Sequence, residues 1–370
     1  LPTLARYAGK THKVMASSAI AQTQPSGTQA DLNHSINELP NLLIVGGPKC
    51  GTTSLFDWLE AHPDVCGSSM KETYYFMDTD NPMLRLRPAH MRTNYHDHGL
   101  QQYAQFFQHR THEKITVEAT PHYMYQETTP RVFSQRAAQP LVIFLLRQPS
   151  KRVRSHFNFS KNNLLRVDAK LSFEAFANAL LNNNFSELKE RIYDDQAYFW
   201  LKNQLKYSRY HEHLQRWAQQ FSPENRMIFL FEDMVAEPKQ VLQQICHRLD
   251  IDPSFYDDFD FTVSNGTVPI RFKALRRLVR FNKQRIKQLL PVIPFSRIKR
   301  LVKSTLLKRK PAKQNLLAGS APTHSTPADK VEDAAILAKL DQYFQPYNQK
   351  LAEEFGLNLD SWNNPATKHM

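Results

Sequence analysis

A lysine stands inside a glycine-bearing turn, Gly46-Gly47-Pro48-Lys49-Cys50-Gly51-Thr52-Thr53-Ser54, directly after the apolar run Leu42-Leu43-Ile44-Val45. The run reads as a buried strand closed by the turn. Leu55, Trp58 and Leu59 follow at helical spacing, with Thr52 or Thr53 as the cap. Strand, turn and helix start aim backbone amides and a positive dipole end at one point, and Lys49 adds a full charge there. That is chemistry for a phosphate. The loop is not a standard Walker A, which ends Gly-Lys-Ser/Thr, because Lys49 precedes Gly51. Pro48, Lys49, Cys50, Gly51, Thr52, Thr53 and Ser54 are the candidate nucleotide-binding residues of this loop.

A second constellation lies in LLRQPSKRVRSHF, where Arg147 leaves a second apolar run, Leu141–Leu146, and Ser155 follows two helical turns later. A guanidinium at the carboxyl edge of a parallel sheet is partly desolvated and is costly unless it meets an anion. Two anion sites at adjacent strand ends suit a nucleotide phosphorylated at two separate positions on the ribose.

These groups need a scaffold, and the rest of the chain supplies one. Residues 114–118 and 226–231 read as further strands, and 141–146, apolar on both faces, as a strand buried between helices. Helices are expected from Ser150, over 172–183, over 196–220 and from Pro238 to Leu249. Residues 80–98 read as an irregular loop, followed by a short helix at Tyr103–Phe107. Strands alternating with helices give an α/β, three-layer, P-loop-like fold with a central, mainly parallel sheet flanked by helices. Residues 1–39, rich in Ala, Ser, Thr and Gln, read as a flexible lead-in, and 40–370 as one domain. Within it, 271–310 is a basic amphipathic segment, 308–328 is linker-like, and 329–360 holds two helical pieces broken at Pro346.

Composition narrows the classes. With 370 residues, 41% hydrophobic and 11% aromatic, the chain is globular rather than disordered. Three cysteines, Cys50, Cys66 and Cys246, are too few and scattered for a disulfide framework or a zinc cluster, and a reducing, cytoplasmic setting is the simpler expectation. No apolar run is long enough to span a membrane, and no secretory signal is read at the start. The chain begins at Leu1, as a trimmed chain or a domain of a longer protein would. The net charge of +13 is local, since residues 271–310 carry fifteen Lys or Arg and no acidic residue. That segment suits contact with an anionic acceptor, membrane surface or acidic carrier protein, or simply a helix that packs its apolar side on the core. No aromatic platform or binding motif supports nucleic acid. His96/His98 and His211/His213 lack a ligand pattern and read as solvated or packed.

The pair PKCGTTSL and LLRQPSKRVRSHF resembles the two signatures of sulfotransferases that use 3′-phosphoadenosine 5′-phosphosulfate. The resemblance runs from about residue 41 to 270 and resumes in the C-terminal helices. It is nearest to the branch of heparan sulfate sulfotransferases and bacterial relatives, whose Glu followed by an aromatic stretch is matched by KETYYF, and whose strand-end Glu-x-Thr-Pro is matched by TVEATPHYMY. Two features depart from it: Ala119 stands where heparan enzymes often carry Lys, and their C-terminal disulfide has no counterpart.

The resemblance implies a division of labour. Lys49, Gly51, Thr52 and Thr53 would hold the 5′-phosphosulfate, and Arg147 and Ser155 the 3′-phosphate. Arg271, in a loop that the family closes over the nucleotide, would add to the latter. Glu72 would take the acceptor proton, with a pKa raised by Tyr74, Tyr75 and Phe76; His122 is the alternative base. Lys49 would stabilise the leaving phosphate, and this chemistry needs no metal. The acceptor would carry a hydroxyl, whether on a carbohydrate, a metabolite or an acyl chain on a carrier protein. Two other readings stay open: a P-loop kinase using ATP and Mg²⁺, and a non-catalytic polyanion- or membrane-binding module on the same fold.

Overall fold

The computed structural model describes residues 39–86, 92–261 and 327–363. Five strands, β1 (Leu42–Gly46), β2 (Val65–Gly67), β3 (Ile115–Ala119), β4 (Leu141–Leu146) and β5 (Arg226–Leu230), form one sheet in the order β2-β3-β1-β4-β5. Every pairing is parallel. Leu42 is level with Val117 on one side and Leu141 on the other. The register with β4 slips after Ile44, so that Gly46 meets Phe144.

The alternation of strand side chains sorts the core into two layers. Leu43, Val45, Val142, Phe144 and Leu146 point into one layer, with Tyr75, Phe76, Tyr103, Tyr123 and Trp217. Leu42, Ile44, Leu141, Ile143 and Leu145 point into the other, with Leu55, Trp58, Val241 and Ile245. The expected three-layer, P-loop-like arrangement is therefore the observed one, and all of its strands are parallel.

Eight helices matter for the site: α1 (Thr52–Glu60), α2 (Pro149–Asn158), α3 (Asp195–Lys202), α4 (Gln204–Tyr207), α5 (Tyr210–Ala218), α6 (Phe231–Ala236), α7 (Pro238–Leu249) and α8 (Pro327–Phe355). The chain leaves β1 toward β2 at one edge and leaves β4 toward β5 at the other. Adjacent β1 and β4 thus flank the topological switch point, where open α/β sheets hold their ligands. Lys49 follows β1 and Arg147 follows β4.

Three local expectations need correction, and one strand had no expectation. The single helix over 196–220 is three pieces, α3 to α5, because the fully buried Arg152 intrudes at the breaks, its Nη2 donating to Gln204 O at 3.1 Å and to Ser208 Oγ at 2.6 Å. Pro346 does not divide the C-terminal segment; α8 runs through it, anchored on one side by Ile336, Leu340 and Phe344 and on the other by Leu351. Residues 80–98 are not wholly irregular, since they contain the short helix Met83–Leu86 and the start of Tyr95–Ala104, capped by Asn94 through His96 N and Asp97 N. The three-residue edge strand β2 carries too short an apolar run to be read in advance.

Among the described residues, no helix is long and apolar enough to cross a membrane. The basic segment 271–310, Arg271 and the linker-like stretch to 326 lie outside the described residues.

Candidate functional site

The loop after β1 is held to its neighbour by Gly47 N, which donates to Leu145 O at 2.6 Å, and closes on itself through Cys50 N to Gly47 O at 3.1 Å. Gly51 is the N-cap of α1 with φ +90°, in left-handed backbone that favours glycine, and a Cβ there would lie 2.5 Å from Met234 Cε. No side-chain oxygen caps this helix, contrary to the expectation for Thr52 or Thr53, because the left-handed turn at Gly51 already puts both threonines inside the helix. Leu55 N is the first amide to donate back, to Gly51 O. The amides of Thr52, Thr53 and Ser54 therefore face the loop as helix-start donors. The side chains of Thr52 and Ser54 are buried, while Thr53 is half-buried. Pro48 is buried, and the Cys50 thiol points into the core, 3.8 Å from Tyr210 OH. Cys50 can serve the loop only through its backbone.

Lys49 has φ +72° and is half-buried, and its Nζ lies 3.8 Å from the centre of the Phe159 ring. Phe159 opens a π-helical turn, Phe159–Asn163, that continues α2. Burial, followed by the charge of Arg147, lowers the Lys49 pKa to about 8, with Glu72 opposing the shift.

Arg147 is 8% exposed. Its backbone is fixed by Tyr210, whose hydroxyl donates to Arg147 O at 2.8 Å. The guanidinium lies over Phe231 at 4.5 Å and donates from Nη1 to Lys49 O at 3.4 Å, while Nε is buried with no hydrogen-bond partner among the described residues. Such a cation calls for an anion. Ser155 sits in the second turn of α2, half-buried, one turn before Phe159 on the same face.

Glu72 has φ +61° and Tyr74 φ +55°. Glu72 accepts from Lys71 Nζ at 3.1 Å and from Tyr74 OH at 2.9 Å. The expected rise in its pKa is reversed. Burial does push it up, but Lys71, His122 and the Tyr74 hydroxyl together outweigh burial and hold the carboxyl below its ordinary value. The aromatic neighbours matter less than expected because Tyr75 and Phe76 turn into the core. His122, buried at the turn after β3, stacks on Tyr74 at 5.2 Å and packs on Trp200 at 4.1 Å. The structure thus brings Lys49, Glu72, His122 and Arg147 within electrostatic reach along one sheet edge.

Two side chains at this edge were assigned no role from the sequence, although one of them, Glu118, is the glutamate of the strand-end Glu-x-Thr-Pro match. His156, next to Ser155, is buried with an Nδ1 that has no hydrogen-bond partner among the described residues. Burial, then Arg152, Lys49 and His122, keep its imidazole neutral. Its position in RSHF was the available signal. Glu118 is wholly buried at the end of β3 and accepts hydroxyls from Thr73, Thr120 and Tyr103. Burial raises its pKa, and the hydroxyls work against that. Of the histidines expected to be solvated or packed, His213 is buried against Lys206 O and His98 is exposed, while His211 meets Glu354 and His96 bonds Met77 O.

The family model for the sulfotransferase domain matches residues 39–288. A heparan sulfate glucosamine 3-O-sulfotransferase 5 from Mus musculus is 23% identical over 338 residues, 90% of this chain and 78% of that protein. A membrane-associated sulfotransferase from Dictyostelium discoideum is 33% identical over 126 residues, which span only 33% of this chain and 23% of that protein. A sulfotransferase structure from Alicyclobacillus acidocaldarius aligns with 70% of this chain and 98% of its own at 22% identity, with a TM-score of 0.47.

Proposed function

The chain belongs to the sulfotransferase domain family, and from that premise we propose that it moves a sulfuryl group from 3′-phosphoadenosine 5′-phosphosulfate to an acceptor hydroxyl. The observation that carries this reading is the pairing of Lys49 with Arg147 at the switch point, the arginine's buried Nε being without a hydrogen-bond partner among the described residues. The residues fit the nucleotide: two cations and a helix start converge where two phosphates would lie.

When bound, the nucleotide supplies the sulfuryl group, whose bond to the 5′-phosphate oxygen breaks as the acceptor oxygen bonds to sulfur. Lys49 offsets charge on that phosphate oxygen, and the amides of Thr52 to Ser54 orient it. Arg147 and Ser155 hold the 3′-phosphate, with Arg271 joining them. Glu72 takes the acceptor proton. Its lowered pKa makes it a modest base but leaves it ionised at neutral pH, ready to accept. His122, stacked on Tyr74, is the second group able to take that proton.

The acceptor is a hydroxyl on a carbohydrate, metabolite or carrier-bound acyl chain, and the relative named for heparan sulfate supports the first class. A cytoplasmic site of action, with peripheral contact to anionic surfaces through 271–310 and no nucleic-acid partner, belongs to the same reading. Three free, buried cysteines support the first of these, and the surface contact rests on the fifteen Lys or Arg of 271–310 alone.

Calorimetry with 3′-phosphoadenosine 5′-phosphate and AMP tests the core of the proposal. The bisphosphate should bind far more tightly. Arg147→Ala should weaken it by ~10–100-fold, and Lys49→Ala should lower turnover by at least ~100-fold. Equal affinity for the two nucleotides, or consumption of ATP with Mg²⁺, would overturn it.

A further inference from the structure

The two oxygens of the Glu118 carboxyl keep different company. Oε1 accepts from Thr73 Oγ1 at 2.8 Å and from Thr120 Oγ1 at 2.5 Å, whereas Oε2 accepts from Tyr103 OH at 2.9 Å. Tyr103 belongs to the core layer behind the sheet, and its ring packs against Tyr75 and Phe76. Thr73 and Thr120 belong to the site: one follows Glu72, and the other precedes Pro121-His122. A single oxygen atom therefore ties together the two segments that present the two candidate bases.

The surrounding bonds run in the same direction. Glu72 N donates to Ala119 O at 3.0 Å, and Tyr74 N to Thr120 Oγ1 at 3.4 Å. Tyr123 OH lies 2.9 Å from Thr73 Oγ1 and accepts from Tyr75 N at 2.9 Å. These bonds hold Glu72 and Tyr74 in left-handed backbone, which non-glycine residues keep only where the surroundings impose it. Glu118 itself is 0% exposed and has no route to a substrate.

We infer that Glu118 is a positioning residue for the transfer, its Oε1 fixing through Thr73 and Thr120 the places of Glu72 and His122 on the acceptor side. The inference rests on the proposed role of Glu72 and His122. It distinguishes two hydroxyls that work for the site from a third that works for the core.

The test uses the full chain and four variants: Thr73→Val, Thr73→Ser, Tyr103→Phe and Glu118→Gln. Turnover is read as hydrolysis of 3′-phosphoadenosine 5′-phosphosulfate to sulfate and 3′-phosphoadenosine 5′-phosphate, water serving as the acceptor hydroxyl. Affinity for 3′-phosphoadenosine 5′-phosphate and Tm are measured alongside. Thr73→Val should lower turnover by ~10–100-fold and leave nucleotide affinity within about twofold, since small misplacement of a reacting group is expensive in rate. Thr73→Ser should restore the rate. Tyr103→Phe should lower Tm and keep the rate. Should Glu118→Gln fail to fold, the Thr73 pair still decides. The imidazole resonances of His122 give a second readout independent of rate: they should move in Thr73→Val and not in Tyr103→Phe. Wild-type turnover and an unmoved His122 in Thr73→Val overturn the inference, as does a rate loss in Tyr103→Phe equal to that in Thr73→Val. A fifth variant, Glu72→Gln, separates the two ideas, because wild-type turnover there removes Glu72 as the base without touching the positioning result.

Discussion

Lys49 shows most directly what its surroundings do to a side chain. Burial and Arg147 bring its pKa from 10.5 to about 8, so its charge changes within the range of ordinary assays. Only the ammonium form offsets charge on a phosphate oxygen, so kcat/KM for the nucleotide, which reports the free enzyme, should be full well below pH 8 and fall as pH rises through it. An anion at the loop favours the ammonium, and nucleotide binding above that pH should take up a proton, visible by calorimetry in buffers of different ionisation enthalpy. Lys49→Arg, whose guanidinium stays charged, should remove this alkaline limb even where it lowers the rate. A kcat/KM profile flat through pH 9 in the wild type would contradict the assignment. The sign for folding is opposite. Between about 8 and 10.5 the folded lysine binds fewer protons than the unfolded one, so its contribution makes the nucleotide-free chain more stable as pH rises over that window. The positions of Lys49 and Arg147 were legible because a cation at a buried strand end loses hydration that only an anion restores. The sign of the Glu72 shift was not, because it is a balance of burial against three groups at once: Lys71 beside it, His122 fifty positions away in the chain, and the Tyr74 hydroxyl.

Among the elements, α8 is the one whose role is least expected from its place in the chain. Ile336, Leu340 and Phe344 join Val153 and Phe157 of α2 in a third core cluster, with Phe173 and Phe176. Polar bonds repeat the connection: Gln148 Nε2 donates to Asp341 at 3.0 Å, and Arg154 pairs with Asp333 at 3.2 Å. The helix that carries Ser155 is thus braced by residues nearly two hundred positions further along. Leu340→Ala should cost ~2–5 kcal/mol, the usual range for emptying a buried leucine site, and should do so within the same unfolding transition as the sheet. Chemical denaturation followed by two probes checks this, and a separate early transition for α8 would make it an independent unit. Apolar spacing made α8 legible as helical, but spacing carries no information on whether Pro346 breaks it. The three-piece course of 196–218 was hidden for a related reason. Its apolar period continues through the breaks, and the guanidinium that occupies them comes from α2.

For the molecule as a whole, the strand order puts β1 and β4 side by side with their exits diverging, and both phosphate-directed cations stand at that divergence. Alternating apolar runs were enough to predict the layers and the parallel sense of the sheet. They could not predict which strand lies beside which, since adjacency is fixed by long-range pairing such as Leu42 with both Val117 and Leu141. The three thiols make this architecture readable in time. Cys50 lies beneath the phosphate loop, Cys66 on edge strand β2 and Cys246 in α7, all buried, and burial raises the pKa of each, Cys50 to about 11 and Cys246 to about 12. None reacts as a thiolate until its own region opens, so each is a clock for one place in the fold. Under a thiol reagent followed by peptide mass spectrometry, Cys66 at the edge should be modified first. Added 3′-phosphoadenosine 5′-phosphate should slow Cys50 more than the other two. Three equal rates, equally slowed, would instead mean that the molecule opens only as one piece.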